Sequence, residues 1–226
     1  IFRALCRVFF SMWIHELGHA VTAWLCGFGA FPGPWFTPVW ESRSPLVSLL
    51  LTAGLALAGY KAWAAQRWPW LAAAGGLLLL QLCMTVGLST ARAQALIIYG
   101  GDAGCMLLGS SLMLSMYARP ESAIHRGWLR WGFLVIGASS FADSFQTWWA
   151  ARSDMAAIPF GINEGMGLSD ASKLVDVYGW TETQLVRRYV ALGVACLILL
   201  AVAYAVNLWR ARAEALHPNP GAMPAD

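Results

Sequence analysis

Five stretches of this chain run for at least fifteen residues with no more than one charged side chain. Residues 46–60, 68–91 and 189–209 carry none, 93–118 carries only Asp102, and 131–151 carries only Asp143. A helix needs about 20 consecutive, mostly apolar residues to cross a bilayer. Inside hydrocarbon only a helix or a closed barrel satisfies its own backbone hydrogen bonds. A sixth apolar region, 5–28, differs in carrying Arg7, His15, Glu16 and His19. The composition fits this reading: 58% of residues are hydrophobic and 12% charged, against about 25% charged in an ordinary soluble domain. Disordered chains, coiled coils and most soluble enzymes are thereby excluded. The expected fold is all-α: a polytopic membrane helix bundle of about six transmembrane helices, at about 5–28, 46–64, 69–90, 95–118, 128–150 and 189–209. These form one integral membrane domain over residues 1–216, and the tail 217–226, HPNPGAMPAD without its flanks, is expected to be disordered.

The net charge of +3 comes with no basic run long enough for a nucleic-acid arm, so no nucleic-acid partner is expected. Cys6, Cys26, Cys83, Cys105 and Cys196 lie in apolar stretches without a CxxC pair, which argues against a disulfide framework or a cysteine zinc site. The chain lacks an initiator Met and opens inside an apolar stretch, so a trimmed or processed N-terminus is expected. Six spans put both termini on one side with nine Lys and Arg residues, against six on the other. This favours cytoplasmic termini, as in a bacterial inner-membrane protein. Tryptophans such as Trp68, Trp70, Trp128 and Trp149 fall near span ends, where aromatic belts form.

Two connections stand apart. Residues 29–45, GAFPGPWFTPVWESRSP, hold four prolines and two glycines and cannot form a regular helix. They read as a surface loop or a re-entrant segment beside the first helix. Residues 152–187 form the one long polar connection, and within it Ser169 to Tyr178 reads as a short amphipathic helix starting from a Ser or Asp cap.

The first apolar region contains His15-Glu16-Leu17-Gly18-His19, an HExxH pattern. On a helix, residues i and i+4 lie about 40° apart, one turn along the axis. Both imidazoles then project from one face and can share a tetrahedral metal, with Glu16 alongside to take a proton from water. Zinc suits two neutral imidazoles plus a carboxylate, with a fourth position left open. Ionisable groups within a span cost about 2.5–3.5 kcal/mol each at the helix centre, and a shared cation offsets that cost.

A third ligand must come from elsewhere. Asp102, in Tyr99-Gly100-Gly101-Asp102-Ala103-Gly104, is the only charge in its 26-residue stretch. Gly100 and Gly104 form a GxxxG pair that permits close helix approach, and Gly100-Gly101 can loosen the helix locally. Asp143 is the competing residue, as a ligand, as a partner to a histidine N–H, or as a polar group facing a water-filled cleft. Asn163 and Glu164 in the long connection are more remote candidates. His125 and His217 read as solvent-facing.

Residues 10–27, FSMWIHELGHAVTAWLCG, resemble the zinc-binding helix of the site-2 protease family of intramembrane zinc metalloproteases. The match rests on His15, Glu16, Gly18, His19, Ala20, Ala23 and Gly27. In that family the third ligand is an aspartate of an Asp-Gly pair on a later core helix, and Asp102 resembles that position. Here alanine follows the aspartate and the preceding Asn-Pro element is missing, so a divergent member is expected. The resemblance implies hydrolysis of peptide bonds in membrane-associated protein substrates within the bilayer. It also implies Zn²⁺ held by His15, His19 and Asp102, with Glu16 as the catalytic base. The Pro-rich 29–45 segment would then be a substrate-guiding edge. Two other readings stand beside this one. The first is a catalytically inactive metal-binding membrane scaffold, which an intact Glu16 argues against. The second is a transporter, which the absence of an internal repeat argues against.

Overall fold

A computed structural model describes residues 7–118, 121–163 and 167–216. Each of the six expected segments contains a helix. A π-helical turn, Arg7–Ser11, leads into α1 (Met12–Leu25). It is followed by α2 (Pro45–Ala64), α3 (Trp68–Gly87), α4 (Thr90–Leu114) and α5 (Leu129–Ala150). A short α6 (Asp170–Ser172) continues as a π turn over Lys173–Val177 and precedes the long α7 (Glu182–Leu216). Two small antiparallel pairings interrupt this all-α plan: β1 (Phe28–Ala30) with β2 (Val39–Arg43), and β3 (Ile162–Asn163) with β4 (Gly167–Leu168).

Among the described residues, four helices are long and apolar enough to cross a membrane: α2, α3, α4 with its 3₁₀ extension to Tyr117, and α7 as far as Ala213. The two other expected spans differ for a physical reason. The first holds a continuous 14-residue α-helix behind the five-residue π turn, and the HELGH polar groups lie within that helix. Helix α5 is 22 residues long, but Ser139, Ser140, Asp143, Ser144, Gln146 and Thr147 dilute its apolar character. Its buried positions Gly137, Ser140, Phe141, Ser144 and Trp148 follow helical spacing, so Ser140 and Ser144 lie on the inward face, whereas Gln146 is exposed.

Helix α4 is the centre of the bundle, packed by α1, α5 and α7. Gly18 of α1 lies against Gly100 and Gly104 of α4, and a Cβ at Gly18 would come within 2.8 Å of the Gly104 Cα. The GxxxG pair therefore does permit the close approach that small residues allow. Gly100-Gly101 does not loosen α4, which runs unbroken from Thr90 to Leu114. The larger core joins Met106 and Ala103 of α4 with Phe141 and Trp148 of α5, Leu174, and Leu185 and Tyr189 of α7. A second cluster joins Ala23, Cys26 and Phe28 to Met84, Ala93 and Ile97. Helices α2 and α3 pack on each other at the periphery, and most of their apolar surface faces outward.

The 29–45 segment is largely a hairpin. Gly27, at φ 81°, turns the chain out of α1 in a conformation that favours glycine. Ser44 N–H then donates to Gly27 O at 2.8 Å, and Arg43 donates to Cys26 O and to Leu88 O. The hairpin tip returns to the first helix, where the Thr37 hydroxyl donates to the backbone oxygen of Glu16 at 2.9 Å.

Candidate metal centre

Helix α1 projects His15 and His19 to one side, with their Nε2 atoms 3.1 Å apart. A third donor closes a triangle with them: Asp170 Oδ2 lies 3.1 Å from His15 Nε2 and 3.0 Å from His19 Nε2. Ser169 caps α6 through its own hydroxyl, which accepts from Ser172 N–H. Asp170, one residue on, is therefore free to turn its carboxylate to the imidazoles. Gly101 of α4 makes room for both rings, since a Cβ there would sit 2.6 Å from His19 Nε2.

The partner of the other ring nitrogen fixes the His19 tautomer, while His15 has a carboxylate at each of its ring nitrogens. His19 Nδ1–H donates to the Ile97 carbonyl at 2.7 Å, and a carbonyl can only accept. His15 Nδ1–H donates to Asp102 Oδ1 at 3.2 Å. Asp102 is held in turn by the Ser144 hydroxyl at 3.0 Å and by Trp148 Nε1–H at 2.7 Å. The indole stacks on Tyr189 at 4.1 Å, and Tyr189 stacks on Tyr99 at 4.4 Å. Asp102 thus lies at the Nδ1 side of His15 rather than in the Nε2 triangle. The sequence argument pointed to it as the third ligand and treated Asp170 only as a helix cap. Asp143, on α5, is 3.7 Å from Arg7 Nε and does not join the triangle. Asn163 lies in β3, and Glu164 and His217 fall outside the described residues. His125 is not solvent-facing as expected: it is half-buried, with its Nε2 buried and its Nδ1 3.4 Å from an Arg130 guanidinium nitrogen.

When both imidazoles are neutral and protonated at Nδ1, the state a metal requires, they turn bare Nε2 lone pairs toward each other and toward a carboxylate. Three acceptors at 3.0–3.1 Å repel unless a cation sits among them. Zn–N and Zn–O bonds of about 2.0–2.2 Å in a tetrahedron place ligand atoms about 3.3 Å apart, so this donor set fits zinc with a few tenths of an ångström of expansion. Protons can fill the triangle instead, with His15 Nε2–H donating to Asp170 Oδ2 or to His19 Nε2. In that case burial raises the Asp170 carboxyl, but the hydrogen bonds from His15 and His19 outweigh burial and hold it well below the usual carboxylate range. Asp170 is an anion under either filling. His15, Asp102 and Cys105 also bring ligand atoms within 4.8 Å of one another. There, however, Trp148, Ser144 and His15 satisfy Asp102, and Cys105 Sγ–H donates to Ser11 O at 3.6 Å.

A cavity of about 310 Å³ opens on the triangle, and Glu16, Lys173, Trp35, Phe36 and Thr37 are among its lining residues. Glu16 is thereby placed on the same opening as the three donors, beside the hairpin tip. A second cavity, of about 430 Å³, reaches His15 and Asp170 from the Arg7–Asp143 side.

Compared with family models, curated proteins and solved structures, the chain matches none.

Proposed function

We propose that the protein is a membrane-embedded zinc metallopeptidase, similar in its first helix to the site-2 proteases, that hydrolyses peptide bonds of membrane-associated proteins. The observation that carries this reading is the convergence of His15 Nε2, His19 Nε2 and Asp170 Oδ2, each within 3.1 Å of the next, on a cavity that Glu16 also lines. Asp170 is the third ligand in this assignment, and Asp102 orients His15 through Nδ1, as carboxylates commonly do behind metal-bound histidines. In this reading all six expected segments cross a bacterial inner membrane, with cytoplasmic termini. Helix α1 carries Glu16 and His19 on its buried side and α5 carries Ser140 and Ser144 on its own, which lowers the cost of these polar residues in a span.

Zinc, when bound, polarises the scissile carbonyl and lowers the pKa of water toward 7. Glu16 takes one proton from the attacking water as its oxygen bonds to the carbonyl carbon. As the C–N bond breaks, Glu16 returns that proton to the leaving nitrogen, giving one carboxylic acid and one amine. The Phe31–Pro38 turn and the β1–β2 pair flank the cavity and offer an edge against which an extended substrate segment can lie.

The test is zinc content and cleavage of labelled β-casein in detergent. Wild-type protein should carry about one zinc per chain. Glu16→Gln should keep it and lose at least about 100-fold in cleavage rate. Full proteolysis by Glu16→Gln overturns the mechanism. Zinc without any Glu16-dependent cleavage favours the inactive metal-binding scaffold.

A further inference from the structure

We infer that Lys173 is a catalytic residue, whose ammonium stabilises the negative charge that develops on the scissile carbonyl oxygen. The inference rests on the peptidase reading above and adds to it a group that the HExxH pattern does not contain. Lys173 lies three residues after Asp170, and its Nζ is 3.9 Å from Asp170 Oδ1, the carboxylate oxygen turned away from the imidazoles. It lines the same cavity as Glu16, His15 and His19. Among the described residues lining that cavity it is the one permanent cation; the others are apolar, hydroxyl-bearing, acidic or histidine. Its side chain is 32% exposed, so it is not sealed beneath Asp170.

The chemistry of amide hydrolysis calls for such a group. When the water oxygen bonds to the carbonyl carbon, the C=O π pair moves onto the carbonyl oxygen. It returns as the C–N bond breaks and Glu16 delivers its proton to nitrogen. Between those events the oxygen carries nearly a full charge. A fixed cation beside it, in a site partly shielded from water, acts only on that charge and not on the neutral ground state. The hairpin side of the cavity supplies Trp35, Phe36 and Val39, and α4 supplies Ile97 and Ile98; none of these can do this. The other role open to Lys173 is to hold Asp170 in place, and the two roles separate experimentally.

The probe is cobalt-loaded protein, whose visible absorption reports ligands entering the metal's open position. It is titrated with phosphoryl-Leu-Phe, a tetrahedral oxyanion, and separately with imidazole, a neutral ligand. Lys173→Met should weaken phosphoryl-Leu-Phe binding about 100-fold while leaving cobalt and imidazole affinity unchanged. Lys173→Arg should restore most of the loss. Equal weakening toward both ligands, or a loss of cobalt itself, assigns Lys173 to positioning Asp170 and overturns the inference. No weakening toward either ligand overturns it outright. A wild-type protein that takes up neither cobalt nor zinc overturns the peptidase reading itself, and the role of Lys173 with it.

Discussion

Asp102 accepts from His15, Ser144 and Trp148 at once. Hydrogen bonds to a charged group contribute about 1.5–3 kcal/mol each, so three of them offset the cost of an intramembrane carboxylate without any metal. The two aspartates should therefore separate in a zinc-competition titration. Asp102→Asn, with its oxygen kept toward His15 and Ser144, turns an amide N–H₂ toward the Trp148 indole N–H and should weaken zinc about 10–100-fold. Asp170→Asn removes the anion between the imidazoles and should weaken zinc by more than roughly 100-fold, beyond the range of an outer partner. The reverse order would return the ligand role to Asp102. The same contrast shows what was legible at this scale. The i, i+4 histidines and the adjacent glutamate were readable because a helix brings its own neighbours together. The cost of burying Asp102 was readable too, but cost says only that a carboxylate has partners, and the indole of Trp148, 46 residues away, leaves no local pattern. For Asp170 the signal was present in Ser169-Asp170: with serine already able to cap the helix, the aspartate is surplus to that task.

Each partner in the triangle depends on how a short element ends or on how closely two helices approach. Ser169 accepts from Ser172 N–H at 3.3 Å and bonds the Ser172 hydroxyl at 3.1 Å, which sets the first turn of α6 and with it the direction of Asp170. Ser169→Ala should cost about 1 kcal/mol of local stability and, by letting α6 fray, reduce zinc affinity measurably while leaving total helix content unchanged. An unaltered zinc affinity would show that α6 is held by Leu174 and Ala171 packing alone. At the α1–α4 contact, Gly101→Ala would set a methyl 2.5 Å from His15 Nε2 and 2.6 Å from His19 Nε2. Both distances are below any real carbon contact, so the rings must swing out. Zinc should be lost with circular dichroism unchanged, and a zinc-loaded Gly101→Ala protein would contradict this packing. At this scale the long helices were readable from charge-free runs. Each glycine in a helix costs about 1 kcal/mol, which made Gly100-Gly101 look like a weak point; the packing of Gly18 and Thr22 against them outweighs it. The β1–β2 pair was not readable because strands of three and five residues, separated by prolines, are too short to show alternation.

Across the whole molecule, the candidate centre joins the first helix to a turn about 150 residues later, and no run of residues in between announces that closure. Charge-free runs reveal which segments prefer lipid, but they carry no record of which polar loop folds back over which helix. Ala171 of α6 and Leu174 of the π turn pack into the α4–α5–α7 core, and a cation bound at the triangle would add a tie from this turn to α1. A ligand that binds only the folded state stabilises it by about 4 kcal/mol at a thousand times its Kd. In a chain of this size that corresponds to a melting shift on the order of 10 °C. Chelation of the detergent-solubilised protein should therefore lower Tm by about that amount, with zinc restoring it, and Glu16→Gln should show the same shift as wild type because Glu16 holds no metal. The loss should also be local. Lys173 sits beside Asp170 and is only partly exposed, so trypsin should cut after Lys173 once the metal is removed and spare it while zinc is bound. If zinc leaves on chelation yet Tm and the tryptic pattern stay the same, the cation does not join α1 to α6, and the site must be assembled from α1 and α4 alone.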